Sequence, residues 1–246
     1  MDRMLYVAMS GARETMLAQG VNAHNLANIS TTGFRKDLES FMSLQVRGPV
    51  FESRAYALEQ GQGVDFTPGP IQQTGRDLDV AIQGDGFIAV QAPDGTEAYT
   101  RAGDLRVSSA GILTNGAGHP VLGEGGPVAI PEYETLTIGA DGTISVRGLG
   151  QPSNALAVVD RIKLVNPPLE ELQKGEDGLL RMADGQPFPP DAQVQLVGGA
   201  IEGSNVNGVD AMVDMIQLAR QYELQVKMMK TAEQIDESAS QLIRFG

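Results

Sequence analysis

The distribution of proline limits what the two ends of this chain can form. All thirteen prolines of the 246 residues lie between Pro49 and Pro190. Proline breaks a helix interior, because it lacks a backbone N–H and its ring clashes with the preceding turn. Residues 1–28 and 205–246 both show the apolar spacing of amphipathic helices. The sequence therefore predicts a long helix at each end, with a turn-rich region between them.

The first predicted helix carries an apolar seam with alternating steps of four and three residues. This spacing keeps one stripe on one side and is typical of helices that pack as a left-handed coiled coil. Gly11 and Gly20 each cost the helix about 1 kcal/mol relative to alanine, and we expect both to let a neighbouring backbone approach closely. The seam consists of Leu5, Met9, Ala12, Met16, Ala23 and Leu26.

The second predicted helix begins near Asn207, which can cap its first turn, with Asp210 close to its positive end. Its seam shifts phase by one residue near the middle, which changes supercoiling locally. Two helices are too few to cover both seams, so we expect other subunits to do so. The predicted contact residues are Met212, Met215, Ile216, Ala219, Tyr222, Val226, Met229, Ala232, Ile235, Ala239 and Leu242.

The region between the helices has the pattern of short strands. Asp94-Gly95, Asn115-Gly116 and Asp141-Gly142 are hairpin signals, and one helical turn is expected within residues 166–175. The predicted fold class is α+β, with N- and C-terminal helices pairing as a coiled-coil-like layer and a central antiparallel β domain. The expected divisions are an N-terminal helix of an inner assembly domain, an extended connector, a β-rich outer domain and a C-terminal helix of the inner domain: 1–33, 34–76, 77–200 and 201–246.

The charge is unevenly distributed along the chain. The net charge is −13, and 21 acidic and 10 basic residues lie between residues 47 and 204. This balance argues against nucleic-acid binding, which needs clustered Lys and Arg. There is no cysteine, and no run of eighteen apolar residues that would span a bilayer. The first residues lack the pattern of a cleavable signal peptide, so we expect no such signal.

No combination of residues predicts a catalytic, cofactor or metal site. Residues 84–89 (GDGFIA) match the loose dinucleotide pattern, but a strand rather than a helix is predicted after the second glycine. Asp77 and Asp79 are interpreted as a solvated strand face, not a catalytic carboxylate pair. The two histidines, His24 and His119, are too far apart in sequence to predict zinc ligation.

Several segments together resemble one protein family. These are residues 1–11 (MDRMLYVAMSG), 25–35 (NLANISTTGFR), 75–87 (GRDLDVAIQGDGF), 99–103 (YTRAG), 116–123 (GAGHPVLG) and 203–223, which begins GSNVN. In this order they are similar to the bacterial flagellar rod proteins, of the flagellar rod and hook axial family. Residues 147–200 carry no motif of this kind.

The resemblance implies a structural subunit that assembles helically by its terminal helices and transmits torque across the periplasm. Its implied partners are copies of itself and other proximal and distal rod subunits, and no direct membrane span is expected. It also implies unfolded export through the flagellar type III apparatus, without a cleaved signal peptide, to the basal body. The opening residues and the short connector favour a proximal rod component over a distal one.

Three alternatives stay open at this point. One is the distal rod component. Another is a hydrolase or lyase that uses carboxylates of the β domain, which predicts a pocket of converging acids. The third is an adhesin-like or chaperone-like binding module whose helices close into a homodimer. The rod interpretation differs from the last because it predicts weakly ordered ends in the free chain.

Overall fold

Both predicted terminal helices are present. The computed structural model describes residues 3–45, 55–152 and 155–244. Helix α1 spans Arg3–Ala27 and helix α2 spans Gly208–Arg244. The side-chain oxygen of Asn207 accepts a hydrogen bond from the backbone N–H of Val209 at 3.0 Å, so Asn207 caps α2 as predicted. With the strands described next, these helices confirm the α+β class.

The region between the helices consists of short strands, and every strand pair in the described residues is antiparallel. The strands are β1 Asp37–Gln45, β2 Ala55–Val64, β3 Ile71–Gln73, β4 Val80–Gln83, β5 Phe87–Gln91, β6 Glu97–Thr100, β7 Arg106–Val107, β8 Leu113–Thr114, β9 Leu122–Gly123, β10 Gly126–Pro127, β11 Thr135–Ile138, β12 Thr143–Arg147, β13 Ala157–Arg161, β14 Leu164–Val165, β15 Leu172–Lys174, β16 Leu180–Met182, β17 Gln195–Gly198 and β18 Ala200–Glu202. The largest sheet of the described residues has the order β14-β5-β6-β16-β15, and a second has the order β11-β12-β13.

The chain divides into two compact units. The helical unit comprises Met1–Ile29, Lys36–Asp65 and Val206–Gly246, and the β unit comprises Ser30–Arg35 and Phe66–Asn205. The predicted connector, residues 34–76, is therefore shared between both units. Its described residues, 34–45 and 55–76, are extended but not unpaired, because β1 and β2 pair with Asp37 opposite Val64. Pairing satisfies backbone groups that an isolated extended segment leaves to water.

The β unit has two apolar clusters that share strand β5. Ile88 and Val90 belong to one cluster, and Phe87 and Ala89 belong to the other. Alternate residues of a strand point to opposite faces, so β5 is buried on both sides. The strand that follows Gly86 is thus a central core element, and no helix begins there to hold a dinucleotide phosphate.

All three turn signals coincide with turns between antiparallel segments, and in two of them the signal also contains the glycine with positive φ. Gly95 and Gly142 adopt positive φ between paired strands, as Asp-Gly hairpins require. In the third turn the positive φ falls on Gly118 rather than on Gly116. The three turns close in the same way, through the backbone pairs Ala92–Thr96, Asn115–His119 and Gly139–Thr143, so each has a three-residue loop. The expected helical turn is a short 3-10 helix at Leu169–Glu171.

Candidate assembly surface

Helices α1 and α2 pack in antiparallel orientation within the helical unit. A side chain added at Gly11 would meet the amide of Gln225 at 2.9 Å, and the Asn22 amide donates to the backbone oxygen of Ala211 at 2.7 Å. The chain numbers thus rise along one helix as they fall along the other. This confirms the predicted helix pairing, but the residues that make the contact are small or polar.

The buried face of α1 is displaced by one residue from the predicted seam. The positions that precede seam members are buried or half-buried, namely Ala8, Gly11, Thr15, Asn22 and Asn25. Spacing fixes the period of a helix contact but not which of two adjacent stripes is used. The stripe with small side chains is the one that allows α2 to approach.

The predicted α1 seam therefore lies largely on the outside of the helix pair. Leu5, Met9 and Met16 are 42%, 55% and 64% exposed. Ala23 is also exposed and Leu26 is half-buried, whereas Ala12 is buried. These residues keep the spacing of a contact stripe, but α2 does not cover most of them.

The predicted contact residues of α2 divide between positions that are at least half-buried and positions that are exposed. Ala232 is buried, while Met215, Ala219, Val226 and Met229 are half-buried. The side chains of Ala239 and Leu242 lie outside the described residues. The other four predicted positions are exposed: Met212, Ile216, Tyr222 and Ile235.

We call the large exposed apolar residues on the two helices the apolar helix surface. On α2, Val209, Met212, Val213 and Ile216 follow the i, i+3, i+4, i+7 pattern that places them on one side. Single exposed apolar residues are ordinary on protein surfaces, but rows of this kind mark interaction sites. The apolar helix surface comprises Leu5, Tyr6, Met9, Met16, Leu17, Val209, Met212, Val213, Ile216, Tyr222, Leu224, Met228 and Ile235.

The two glycines of α1 have different surroundings. Gly11 faces the side chain of Gln225, so the group that approaches it closely is a side-chain amide and not the expected backbone. A side chain added at Gly20 would meet nothing within 4 Å, and Gly20 is exposed. Gly20 lies outside the face that α2 covers, so the expected close approach of a neighbouring backbone at this residue stays a prediction for contacts between subunits.

Asparagine side chains attach α1 to its neighbours in the helical unit. The Asn25 amide donates to the backbone oxygen of Asp37 at 2.9 Å, and its side-chain oxygen accepts from the Asp37 N–H at 2.8 Å. Asn25 is only 2% exposed, and its side chain satisfies both backbone polar groups of Asp37, the first residue of β1. His24 Nδ1 lies 2.8 Å from the Asp37 carboxylate, so this side chain contacts the same residue of β1.

In the β unit, a buried charge cluster holds the two segments that lead to the helices. Arg35 Nη2 lies 2.6 Å from Glu202 Oε1, and Arg101 Nη1 donates to Glu202 Oε2 at 3.0 Å. These three residues are 4%, 6% and 1% exposed. The Gly33 N–H also donates to the backbone oxygen of Glu202 at 2.7 Å. Residues 30–35 and 200–205 are thus fixed to each other and to the strand that ends at Thr100.

Sequence reasoning did not assign this cluster. Arg35 and Arg101 lie inside two of the segments that carry the family resemblance, which was the available signal. Their shared partner, Glu202, lies just before the last of those segments. A buried carboxylate 101 residues away from Arg101 has no local spacing that would reveal the pair.

The remaining candidate residues do not converge. Asp77 is exposed, but Asp79 is buried and its Oδ1 lies 3.5 Å from Arg76 Nη1. The interpretation of both as a solvated strand face is therefore wrong for Asp79. These two residues immediately precede β4, where the chain turns inward. His119 is half-buried in a turn of the β unit.

Three family models match successive parts of the chain. Residues 5–35 match the model described as flagella basal body rod protein. Residues 81–146 match the flagellar hook protein FlgE/F/G D1 domain, and residues 197–242 match the flagellar basal body rod FlgEFG protein C-terminal. The first and last of these carry the helices, and the second lies within the β unit.

Curated relatives match over the whole chain. The flagellar basal-body rod protein FlgF of Salmonella typhimurium is 43% identical over 252 residues, which cover 100% of both chains. FlgF of Escherichia coli has the same identity and coverage. The chain belongs to the flagellar basal-body rod protein family. The rod protein FlgG of Bacillus subtilis is 31% identical over 262 residues, with 96% of this chain and 97% of the relative covered.

Membership in the rod family makes the chain a structural subunit of the flagellar basal-body rod. The higher identity to FlgF than to FlgG agrees with the expected proximal assignment, and the distal alternative is not favoured. Among the described residues of this rod protein, neither helix has both the length and the hydropathy that crossing a bilayer requires.

Proposed function

We propose that this rod subunit assembles helically, with its terminal helices packed against those of neighbouring subunits, and that the assembly transmits torque across the periplasm. The observation that supports this proposal is that two faces of the helices differ, since one joins the helix pair and the other is exposed. Small and polar residues join α1 to α2, while the apolar helix surface faces away from that contact. The work proposed for the chain is mechanical rather than catalytic.

The energy for such assembly comes from covering apolar side chains. Burying a Leu, Ile or Met completely stabilises by roughly 1.5–3 kcal/mol, so each half-exposed member of the apolar helix surface offers about 1 kcal/mol.

The two helices differ in length, which leaves a further site for contact with a neighbouring subunit at the end of the longer helix. α1 has 25 residues and α2 has 37; with Gly11 opposite Gln225, about the last ten residues of α2 extend beyond α1. Ile235, 53% exposed, lies in that extension.

Subunits that join head-to-tail form an open helical assembly when the rotation between neighbouring subunits does not close into a ring. The partners proposed are copies of this chain and other proximal and distal rod subunits. We also propose export through the flagellar type III apparatus without a cleaved signal peptide. Two helices that meet through small and polar residues suit that route, because docking supplies the stabilisation that offsets the entropy of ordering.

Paired substitutions on α2 test this assignment. Ile216→Lys places a charge in the apolar helix surface, and Gln217→Lys places the same charge one residue away at an exposed polar position. Produced in the source bacterium in place of the wild-type chain, Ile216→Lys should abolish motility and leave the subunit out of isolated basal bodies. Gln217→Lys should incorporate. Normal motility and incorporation with Ile216→Lys would contradict the proposal.

The closed-dimer alternative predicts a different behaviour in solution. A binding module with closed helices would sediment as a discrete dimer at all concentrations and leave no free helix surface. The rod proposal predicts a monomer at low concentration whose association has no fixed stoichiometry as concentration rises. Sedimentation velocity over a concentration series distinguishes the two, and a concentration-independent dimer would favour the module.

A further inference from the structure

A small cavity in the β unit is lined by three cationic side chains. Arg35, Arg101 and Lys174 line it together with Gly33, Gly178 and neighbouring residues of β6 and β16. Its volume is about 10 Å³, which is room for one water-sized particle. No acidic side chain of the described residues lines it. A cavity of this size favours a small occupant.

The donors around the cavity exceed the acceptors available to them. Arg35 is 4% exposed; its Nε and Nη1 atoms make no hydrogen bond with the described residues, and its Nη2 has the ion pair with Glu202 alone. The nearest carboxylate, Glu202, is already engaged. Its Oε1 lies against Arg35 Nη2 and accepts from the Gly69 N–H at 2.8 Å, and its Oε2 accepts from Arg101. Buried N–H groups without acceptors are rare in folded proteins.

The local charge is also unbalanced. Two guanidinium groups share one carboxylate, and Lys174 Nζ approaches the same segment, since it donates to the Arg35 backbone oxygen at 2.8 Å and lies 4.0 Å from the Phe34 ring centroid. Burial lowers the pKa of Arg101, and the positive charge of Arg35 lowers it further, against the opposing effect of Glu202. Asp85 also favours the Arg101 cation, but it is exposed. Uncompensated charge in a buried site is costly.

We propose that this cavity binds a single monatomic anion such as chloride. The anion accepts from Arg35 Nε or Nη1, which have no acceptor among the described residues, and it balances the positive charge that Glu202 alone does not. A water molecule fills the same space and accepts hydrogen bonds, but it carries no charge. The charge of the site therefore favours the anion over water. Anion binding here goes beyond the role proposed for the chain in the rod.

Bound chloride therefore stabilises the β unit where residues 30–35 and 200–205 are fixed to each other. A ligand that binds only the folded state raises stability with the logarithm of its concentration. Thermal unfolding of the full chain should therefore occur at a higher temperature in sodium chloride than in sodium gluconate of the same ionic strength. The midpoint should rise steadily with chloride concentration at constant total salt.

Two lysine variants separate specific binding from general salt effects. Lys174→Met removes one cation from the cavity but keeps an apolar stem of similar length. Lys163→Met, the matched control, removes a lysine that pairs with Glu97 at 2.8 Å elsewhere in the β unit. The apparent chloride affinity should fall about tenfold or more in Lys174→Met, as expected for loss of one charged contact. It should be unchanged in Lys163→Met.

A crystal grown in sodium bromide supplies the direct test. An anomalous bromide peak bordered by Arg35, Arg101 and Lys174 would support the proposal. Equal unfolding temperatures in chloride and gluconate would overturn it, as would the same chloride dependence in the wild type and Lys174→Met. Density for a water molecule without an anomalous peak would overturn it as well.

Discussion

The side-chain amide of Asn22 donates to the backbone carbonyl of Ala211 at 2.7 Å, and both residues are almost fully buried. A polar bond between two long helices is directional, whereas apolar contact is not. It fixes which face of α1 meets α2 and which register the pair adopts. The larger apolar residues are thereby left on the outer faces, where other subunits can reach them.

Asn22→Ala should destabilise the helix pair by about 1–3 kcal/mol, because it leaves the Ala211 carbonyl without its side-chain donor in a buried site. Urea titration followed by far-ultraviolet circular dichroism measures the loss. Ala23→Gln, at the adjacent exposed position, should change stability by no more than about 0.5 kcal/mol. Equal effects of the two substitutions would mean that the Asn22 bond does not specify the pairing.

Glu202→Gln should destabilise the β unit by about 3–5 kcal/mol, since it removes the single carboxylate that compensates two buried guanidinium groups. The matched control is Glu134→Gln, which removes a half-exposed partner of Arg147 at 3.4 Å and should cost no more than about 1 kcal/mol. Tyrosine fluorescence during urea unfolding is the measurement, because the chain contains no tryptophan. A cost below that of Glu134→Gln would contradict the role given to the cluster.

Gly103→Ala should destabilise strongly, by more than about 3 kcal/mol, because the added methyl group overlaps the backbone oxygen of Val80. The backbone there is closely packed, since the Val80 N–H also donates to the Gly103 oxygen at 2.9 Å. Gly125→Ala points into open space and should be nearly neutral. Thermal unfolding of both variants checks this prediction, and a neutral Gly103→Ala would show that the strand ends do not approach so closely.

Tyr99 should make the stability of the β unit sensitive to alkaline pH. Burial raises the pKa of its phenol to about 12 from the usual 10. The folded state therefore holds the proton that the unfolded state loses above pH 10. The resulting stabilisation, about 3 kcal/mol, is present below pH 10 and is lost as pH rises from 10 to 12.

The measurement is the free energy of unfolding across this pH range in the wild type and in Tyr99→Phe. The difference between the two should shrink as pH rises from 10 to 12, because the phenylalanine variant has no proton to lose at this position. A constant difference across the range would contradict the assigned pKa.

The helices and their caps could be predicted from sequence because the signals are local. Proline exclusion, three-and-four spacing and Asn207 all lie within or beside the elements that they specify. The turns at Gly95 and Gly142 are local in the same sense. The contact face of α1 was not predictable in this way, because Ala8 and Thr15 lie on an equally periodic stripe whose advantage depends on α2.

The features that were not predicted depend on contacts between residues that are far apart in sequence. Glu202 contacts Arg35 and Arg101 only after the chain has folded back on itself. The residues that pair β1 with β2 lie in the segment that was predicted to be an extended connector. The buried position of Asp79 follows from the turn into β4, which the acidic composition of this region conceals. The resemblance to rod proteins identified the segments that carry these contacts without giving their physical reason.

The most direct test of the account is whether the apolar helix surface is covered in the rod. The chain has no cysteine, so single Met16→Cys and Ile216→Cys variants each carry one reactive thiol. We expect both to react rapidly with maleimide in the free chain, and at least about tenfold more slowly in intact basal bodies, because packing excludes the reagent. Equal reaction rates in the free chain and in basal bodies would show that these residues stay in solvent after assembly, and would contradict the account.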